Sequence, residues 1–300
     1  METQRTPLSE AVEGFLDYLK VDRGASPHTL LAYGNDLQGA GEFFTAIGVK
    51  SWAEITSQQM MRYETSLGAP LARSTAQRRM SALRSLLKHL KREGRGPAAE
   101  LPSTAGFKKP KTLPKALAVE AMNRLADAET GEDPFSLRDR ALVELIYGAG
   151  LRVSEAVGLT LQALDLENEV LRVTGKRGKT RLAPLPSGTV VWLRRYLGEA
   201  RGRLLAKPTD LLFVNDHGKP FSRQLAYALV AGAAKASGLA HPVGPHTLRH
   251  TYAVHLLKGG ADLRAVQELL GHESIATTQV YTHLDMEEVR RRYEGAHPRP

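Results

Sequence analysis

Apolar residues recur at helical spacing along most of the chain. Up to residue 105 four segments carry the pattern: SEAVEGFLDYLKVDRG, SPHTLLAYGNDLQGAGEFFTAIG, ITSQQMMRYETSLG and ARSTAQRRMSALRSLLKHLKREG. Ser26 before Pro27 has the form of an N-cap followed by proline at the first helical position, and Gly24, Gly48, Gly68 and Gly94 stand where helices should end. A compact domain of four helices is predicted over 1–105. In its last helix Met80, Leu83, Leu87 and Leu90 form an apolar stripe, and Arg84, Lys88, Lys91 and Arg95 form a basic one.

The stretch GFKKPKTLPK, residues 106–115, has four lysines, two prolines and no acid, which is the composition of a linker. After it, LAVEAMNRLADAE and SLRDRALVELIYGAG read as helices, with a short helix starting near Arg152. ENEVLRVTGKRGKTRLAPLP reads as a hairpin: Val170, Leu171 and Val173 precede the turn GKRGK, and Leu182 and Leu185 follow it. TVVWLRRYLGEARGRLL, SRQLAYALVAGAAKASG, HTLRHTYAVHLLKGG, DLRAVQELLG, SIATTQVYTH and MEEVRRRYEG return to helical spacing. The predicted fold is mainly α: a four-helix N-terminal domain, then a mostly helical domain over 116–300 with a small β-hairpin sheet.

Charge sharpens this picture. The 300 residues hold 41 Lys+Arg against 32 Asp+Glu, a net of +9. Between Ala72 and Lys115 stand twelve Lys or Arg and two Glu, so that segment carries +10 and the rest of the chain is nearly neutral. Positive charge concentrated on one helix and the adjoining linker favours phosphate contact, which makes Arg73, Arg78, Arg84, Lys88, Lys91, Lys108, Lys109 and Lys111 candidate DNA-binding residues. The absence of cysteine excludes thiolate nucleophiles, disulfides and zinc-thiolate sites. The N-terminus lacks the uninterrupted apolar core of a signal peptide and no stretch approaches ~18 consecutive apolar residues, so a soluble, cytoplasmic protein away from membranes is expected.

The densest chemistry lies in PHTLRHTYAVHLL, residues 245–257. His246 and Arg249, three apart, share a face near a helix N-terminus, where a guanidinium, an imidazole and an electropositive helix end suit a phosphate. A metal reading of His246 with His250 is disfavoured, because Arg249 would stand beside the ion and no thiolate or nearby acid completes the ligand set. Arg152 follows a Gly-Ala-Gly turn, with Glu155 one helical turn on; Lys176 and Lys179 sit in the hairpin turn. His272 follows Gly271, and Tyr281 lies nine residues further. A tyrosine, with a free pKa of ~10, becomes a nucleophile near neutrality only among cations, and Arg152, Arg249, His246 and His272 are candidates to surround it.

Together GLRVSEAVGL, TGKRGKTRLAPLP, HTLRHTYAVHLL, LLGHESIATTQVYTHLD and AHPRP, with SPHTLLAY and the basic helix upstream, resemble the tyrosine site-specific recombinases of the Xer type over nearly the whole chain. YTHLD and RYEGAHPRP are closer to the XerC branch than to the XerD branch. The resemblance implies an N-terminal core-binding, SAM-like DNA-binding domain and a catalytic domain ending in an exchange segment over about 285–300. Carried over by motif, Arg152, Lys176, His246, Arg249, His272 and Tyr281 are the catalytic set, with Tyr281 the nucleophile and Glu155 orienting Arg152.

The implied reaction cuts and rejoins double-stranded DNA through a 3′-phosphotyrosyl intermediate, with no metal and no cofactor, to resolve chromosome dimers at a dif-type site during chromosome segregation. Its implied partners are a paired Xer recombinase, in a heterotetramer on two recombination sites, and a septal DNA translocase. Rival readings are an integrase of a mobile element, a non-catalytic architectural DNA-binding protein, and a nicking-closing topoisomerase. The intact set from Arg152 to Tyr281 speaks against decay to a non-catalytic protein, and the C-terminal segment against a lone topoisomerase.

Overall fold

A computed structural model of the chain describes residues 6–68, 71–101, 116–128, 131–175, 178, 180–271, 296 and 298. The chain divides into two compact units, Met1–Thr112 and Leu113–Pro300.

The first unit holds α1 (Pro7–Val21), α2 (Pro27–Ala46), α3 (Ser57–Gly68) and α4 (Arg73–Arg92), with a short 3-10 turn at Trp52–Glu54. Ser26 caps α2 as predicted, its side chain accepting from the Thr29 backbone N–H. Met80, Leu83, Leu86, Leu87 and Leu90 bury the apolar stripe of α4 against Phe15, Leu37 and Phe44. Trp52 closes this core, its indole Nε1 donating to the Leu8 carbonyl at 2.9 Å.

The second unit holds α5 (Val119–Ala126), α6 (Pro134–Gly148), α7 (Val153–Val157), α8 (Ser187–Arg195), α9 (Gly202–Leu204), α10 (Arg223–Ala236), α11 (Pro245–Lys258) and α12 (Leu263–Leu270). A π-helical stretch, Tyr196–Arg201, joins α8 to α9. Helix α6 is buried from Leu137 to Gly148 except at half-buried Asp139, and packs on α8, the π-helical stretch and α11. Its buried charges are paired: Arg140 bonds Glu144 and Asp127 and lies over the Trp192 ring, while Arg138 bonds Asp139 and Asp216 between the rings of Phe135 and Phe221.

The sheet has three antiparallel strands rather than two, in the order β1 (Leu164–Asp165), β2 (Val170–Thr174), β3 (Thr180–Pro184). The two-residue β1 is too short to leave a period in the sequence. Register sets the face of the hairpin. Leu171 and Val173 are buried and lie opposite Ala183 and Arg181, so the inward positions of β3 are Ala183 and Arg181, while Leu182 pairs with exposed Arg172.

The predicted linker, 106–115, and the helices SIATTQVYTH and MEEVRRRYEG lie outside the described residues. Of the expected exchange segment, Ala296 and Pro298 are described. Ala296 is buried and its backbone seats against Gly259, where a Cβ would stand 2.1 Å from the Ala296 oxygen.

Candidate active site

Two tight backbone features place the site. Gly150 ends the turn after α6 with φ +57, and a Cβ there would lie 2.5 Å from the Tyr252 ring, so the turn packs directly on α11. Gly271 closes α12 in the left-handed conformation, φ +64. These turns bring the start of α7, α11 and the last turn of α12 together.

Arg152 stands at the N-cap position of α7. Its backbone N–H donates to Glu155 Oε2 at 2.9 Å and its Nη1 to Glu155 Oε1 at 2.8 Å, the pairing expected from their spacing. Arg249, buried, donates from Nη1 to the Gly150 carbonyl at 2.6 Å and from Nη2 to the Leu270 carbonyl at 2.7 Å. Its Nη1 lies 3.8 Å from Glu155 Oε2. Burial pulls the Arg249 pKa down to about 10, and the like charge of Arg152 adds to that shift; the group stays cationic at neutral pH.

His246, three residues before Arg249, is exposed in the first turn of α11, and its ring centroid lies 6.0 Å from that of Tyr227. Arg152, Glu155 and Arg249 therefore form one cluster, with His246 on the same helix as Arg249. Lys176, His272 and Tyr281 lie outside the described residues.

Arg181 was not singled out from the sequence. From β3 its guanidinium grips Glu155 at two points, Nη1 to Oε1 at 3.0 Å and Nη2 to Oε2 at 2.9 Å, while Nε donates to the Leu269 carbonyl at 2.7 Å. The signal available was an arginine at an inward strand position, opposite Val173, where a charge needs a partner.

Three guanidiniums thus hold three consecutive carbonyls at the end of α12: Arg181 on Leu269, Arg249 on Leu270, and Arg152 Nη2 on Gly271 at 3.1 Å. A helix C-terminus presents unpaired carbonyls and partial negative charge, which accounts for this preference. Burial alone would raise the Glu155 pKa; the bonds and charge of Arg181, then of Arg152, overcome it and bring the carboxyl down to about 2.

Behind the site, Tyr147 and His255 bond through the hydroxyl and Nδ1 at 2.8 Å, and His255 Nε2 meets the Leu117 carbonyl at 2.8 Å. The Leu117 N–H donates to Thr251 Oγ1 at 3.1 Å, so α11 holds residue 117 at both backbone polar groups. Among the described residues no three His, Asp or Glu converge in a way that would hold a metal ion, and no helix is long and apolar enough to cross a membrane.

In the first unit, Arg73, Arg78, Arg84, Lys88 and Lys91 are all exposed on α4. Three of them also have partners within the unit: Arg78 bonds buried Asp36, Arg84 reaches the Leu101 carbonyl at 3.4 Å, and Lys91 the Ala99 carbonyl at 2.8 Å. Lys108, Lys109 and Lys111 lie outside the described residues.

Comparison with known proteins places these features. Residues 115–288 match the phage integrase family, and residues 12–94 match the N-terminal SAM-like domain of phage integrases. A relative named tyrosine recombinase XerD from Halalkalibacterium halodurans is 39% identical over 302 residues, covering the whole of both chains. One named tyrosine recombinase XerC from Pelobacter propionicus is 40% identical, covering 98% of this chain and 97% of its own. Among solved structures, the XerH site-specific recombinase bound to palindromic difH substrate, a post-cleavage complex, aligns with a TM-score of 0.70 at 25% identity over 94% of this chain and 83% of its own.

Proposed function

The chain belongs to the phage integrase family of tyrosine recombinases, and from that premise we propose that it is a site-specific recombinase that cuts and rejoins double-stranded DNA through Tyr281. The observation that carries this reading is the convergence of Arg152 and Arg249 around Glu155, close to the N-terminus of α11 and His246. Two guanidiniums there can stabilise the non-bridging oxygens of a phosphate as charge builds in the transition state.

The Tyr281 oxygen attacks the scissile phosphorus as the bond to the 5′-oxygen breaks, leaving a 3′-phosphotyrosyl link and a free 5′-hydroxyl. Lys176 donates the proton to that 5′-oxygen, His246 assists loss of the phenol proton, and His272 hydrogen-bonds the phosphate. One phosphodiester replaces another, so the reverse attack by a 5′-hydroxyl rejoins the strand without an energy source.

The full-length similarity to relatives named Xer supports a role in resolving chromosome dimers at a dif-type site in the cytoplasm, with a paired Xer recombinase and a septal translocase as partners. Relatives named XerC and XerD match at the same level, so the XerC-like assignment rests on YTHLD and RYEGAHPRP alone.

The test is incubation with a duplex carrying the dif-type site of the source genome, nicked beside the candidate scissile phosphate. A denaturation-resistant protein–DNA adduct is expected with the unmodified chain and none with Tyr281→Phe. An adduct that persists in Tyr281→Phe overturns the nucleophile assignment. Recombinant products from paired dif-type sites, and none from unrelated duplexes, are expected for the chromosome-dimer role.

A further inference from the structure

Glu155 can accept about four hydrogen bonds, and all four are made. Oε1 takes Arg152 Nη1 at 2.8 Å and Arg181 Nη1 at 3.0 Å; Oε2 takes the Arg152 backbone N–H at 2.9 Å and Arg181 Nη2 at 2.9 Å. Arg249 Nη1 is left 3.8 Å from Oε2 and bonds the Gly150 carbonyl instead. We propose that Arg181 is a positioning residue of the phosphate site, which fills the Glu155 acceptor positions that Arg249 would otherwise take and so keeps Arg249 on the Gly150 and Leu270 carbonyls, where its remaining N–H groups can meet the phosphate. This rests on the recombinase reading.

Three features support it. The fork of Arg181 matches the carboxylate at two points, which a lysine cannot do. Its Nε bond to Leu269, beside the Arg249 bond to Leu270, ties β3 to the end of α12. Its charge also sets the local balance: with Arg152 and Arg249 it makes three cations against one carboxylate, and without it a phosphate gaining negative charge meets one net positive charge fewer.

Without Arg181, Glu155 keeps its buried place and loses two of its four hydrogen bonds. The charged groups that still face it are Arg152 from the start of α7 and Arg249 from α11. The carboxylate then draws Arg249 off the phosphate, and it takes up a proton far more readily, because burial opposes its charge and Arg181 is the strongest force against that.

The experiment measures single-turnover adduct formation on the nicked dif-type duplex, together with duplex affinity and the melting temperature of each variant. Arg181→Met is expected to slow adduct formation about 100-fold with duplex affinity within about threefold. Its rate should rise as pH falls into the carboxylate range, and that rise should vanish in Arg181→Met/Glu155→Gln, which should also regain at least tenfold in rate. Arg181→Lys, which keeps the charge and loses the fork, should be about tenfold slow and decides the matter if Arg181→Met does not fold. An Arg181→Lys or Arg181→Met rate within threefold of the unmodified chain overturns the proposal, as does a double variant slower than Arg181→Met. If the unmodified chain makes no adduct on this duplex, the recombinase reading falls and the proposal falls with it.

Discussion

Arg249 reaches across 99 residues of sequence to donate a 2.6 Å hydrogen bond to the Gly150 carbonyl, and the Tyr252 ring, one turn on from Arg249, fills the space where a Gly150 side chain would stand. One turn of α11 therefore both supplies a site cation and reads the backbone of the turn that presents Arg152. The Gly-Ala-Gly turn and the HxxR helix are a single packed unit.

Gly150→Ala tests that unit. The left-handed φ and a Cβ 2.5 Å from the Tyr252 ring should together cost about 2–4 kcal/mol, through backbone strain and overpacking. Urea unfolding should show the midpoint fall with an unchanged m-value. Tyr252→Leu should relieve part of the loss only if the ring contact is its main cause.

Glu155 predicts a pH dependence. Its folded pKa of about 2 lies below its ordinary value of 4.5, so its contribution is fully present above 4.5 and is lost as pH falls toward 2. With the side chain 5% exposed, the contribution is about 3 kcal/mol. Calorimetric melting from pH 5 to pH 2 should show the unmodified chain losing more stability than Glu155→Gln.

Tyr147→Phe removes the hydroxyl that bonds His255 Nδ1. A buried imidazole nitrogen is then left without its partner, at a cost of about 1–3 kcal/mol. Burial lowers the His255 pKa below 6.5, so the unfolded chain takes up a proton there before the folded one does, and stability is lost as pH falls below 6.5. Chemical denaturation at pH 8 and pH 5 measures both effects.

Salt dependence checks the basic helix. Replacing Arg84, Lys88 and Lys91 with alanine should reduce the slope of log affinity against log salt by about 2 to 3, at about 0.9 for each phosphate no longer neutralised. An unchanged slope would mean that this face of α4 meets no phosphate. Lys88→Ala alone is informative, because Arg84 and Lys91 also reach carbonyls at Leu101 and Ala99, which they would have to leave to meet DNA.

The helices were legible because their causes are local. Met80, Leu83, Leu87 and Leu90 recur at the helical period, Ser26 caps the helix it precedes, and Gly24, Gly48 and Gly94 take the positive φ that ends a turn. The Arg152–Glu155 pair was legible for the same reason, since the two are three residues apart. Motif order pointed to the family and, at the site, to Arg152, Glu155 and Arg249, which the fold brings together.

What only the tertiary structure decided depends on packing between distant parts of the chain. Arg181 reads from sequence as one more basic residue in a hairpin; its place opposite Val173 turns it inward, onto Glu155 and Leu269, 26 and 88 residues away. The pairing of Arg249 with Gly150 and Leu270, the two residues of β1, and the hold of Thr251 and His255 on Leu117 leave no periodic trace either. A period in the sequence records which face of an element is buried. Which charged group meets which carbonyl or carboxylate is settled when those faces pack.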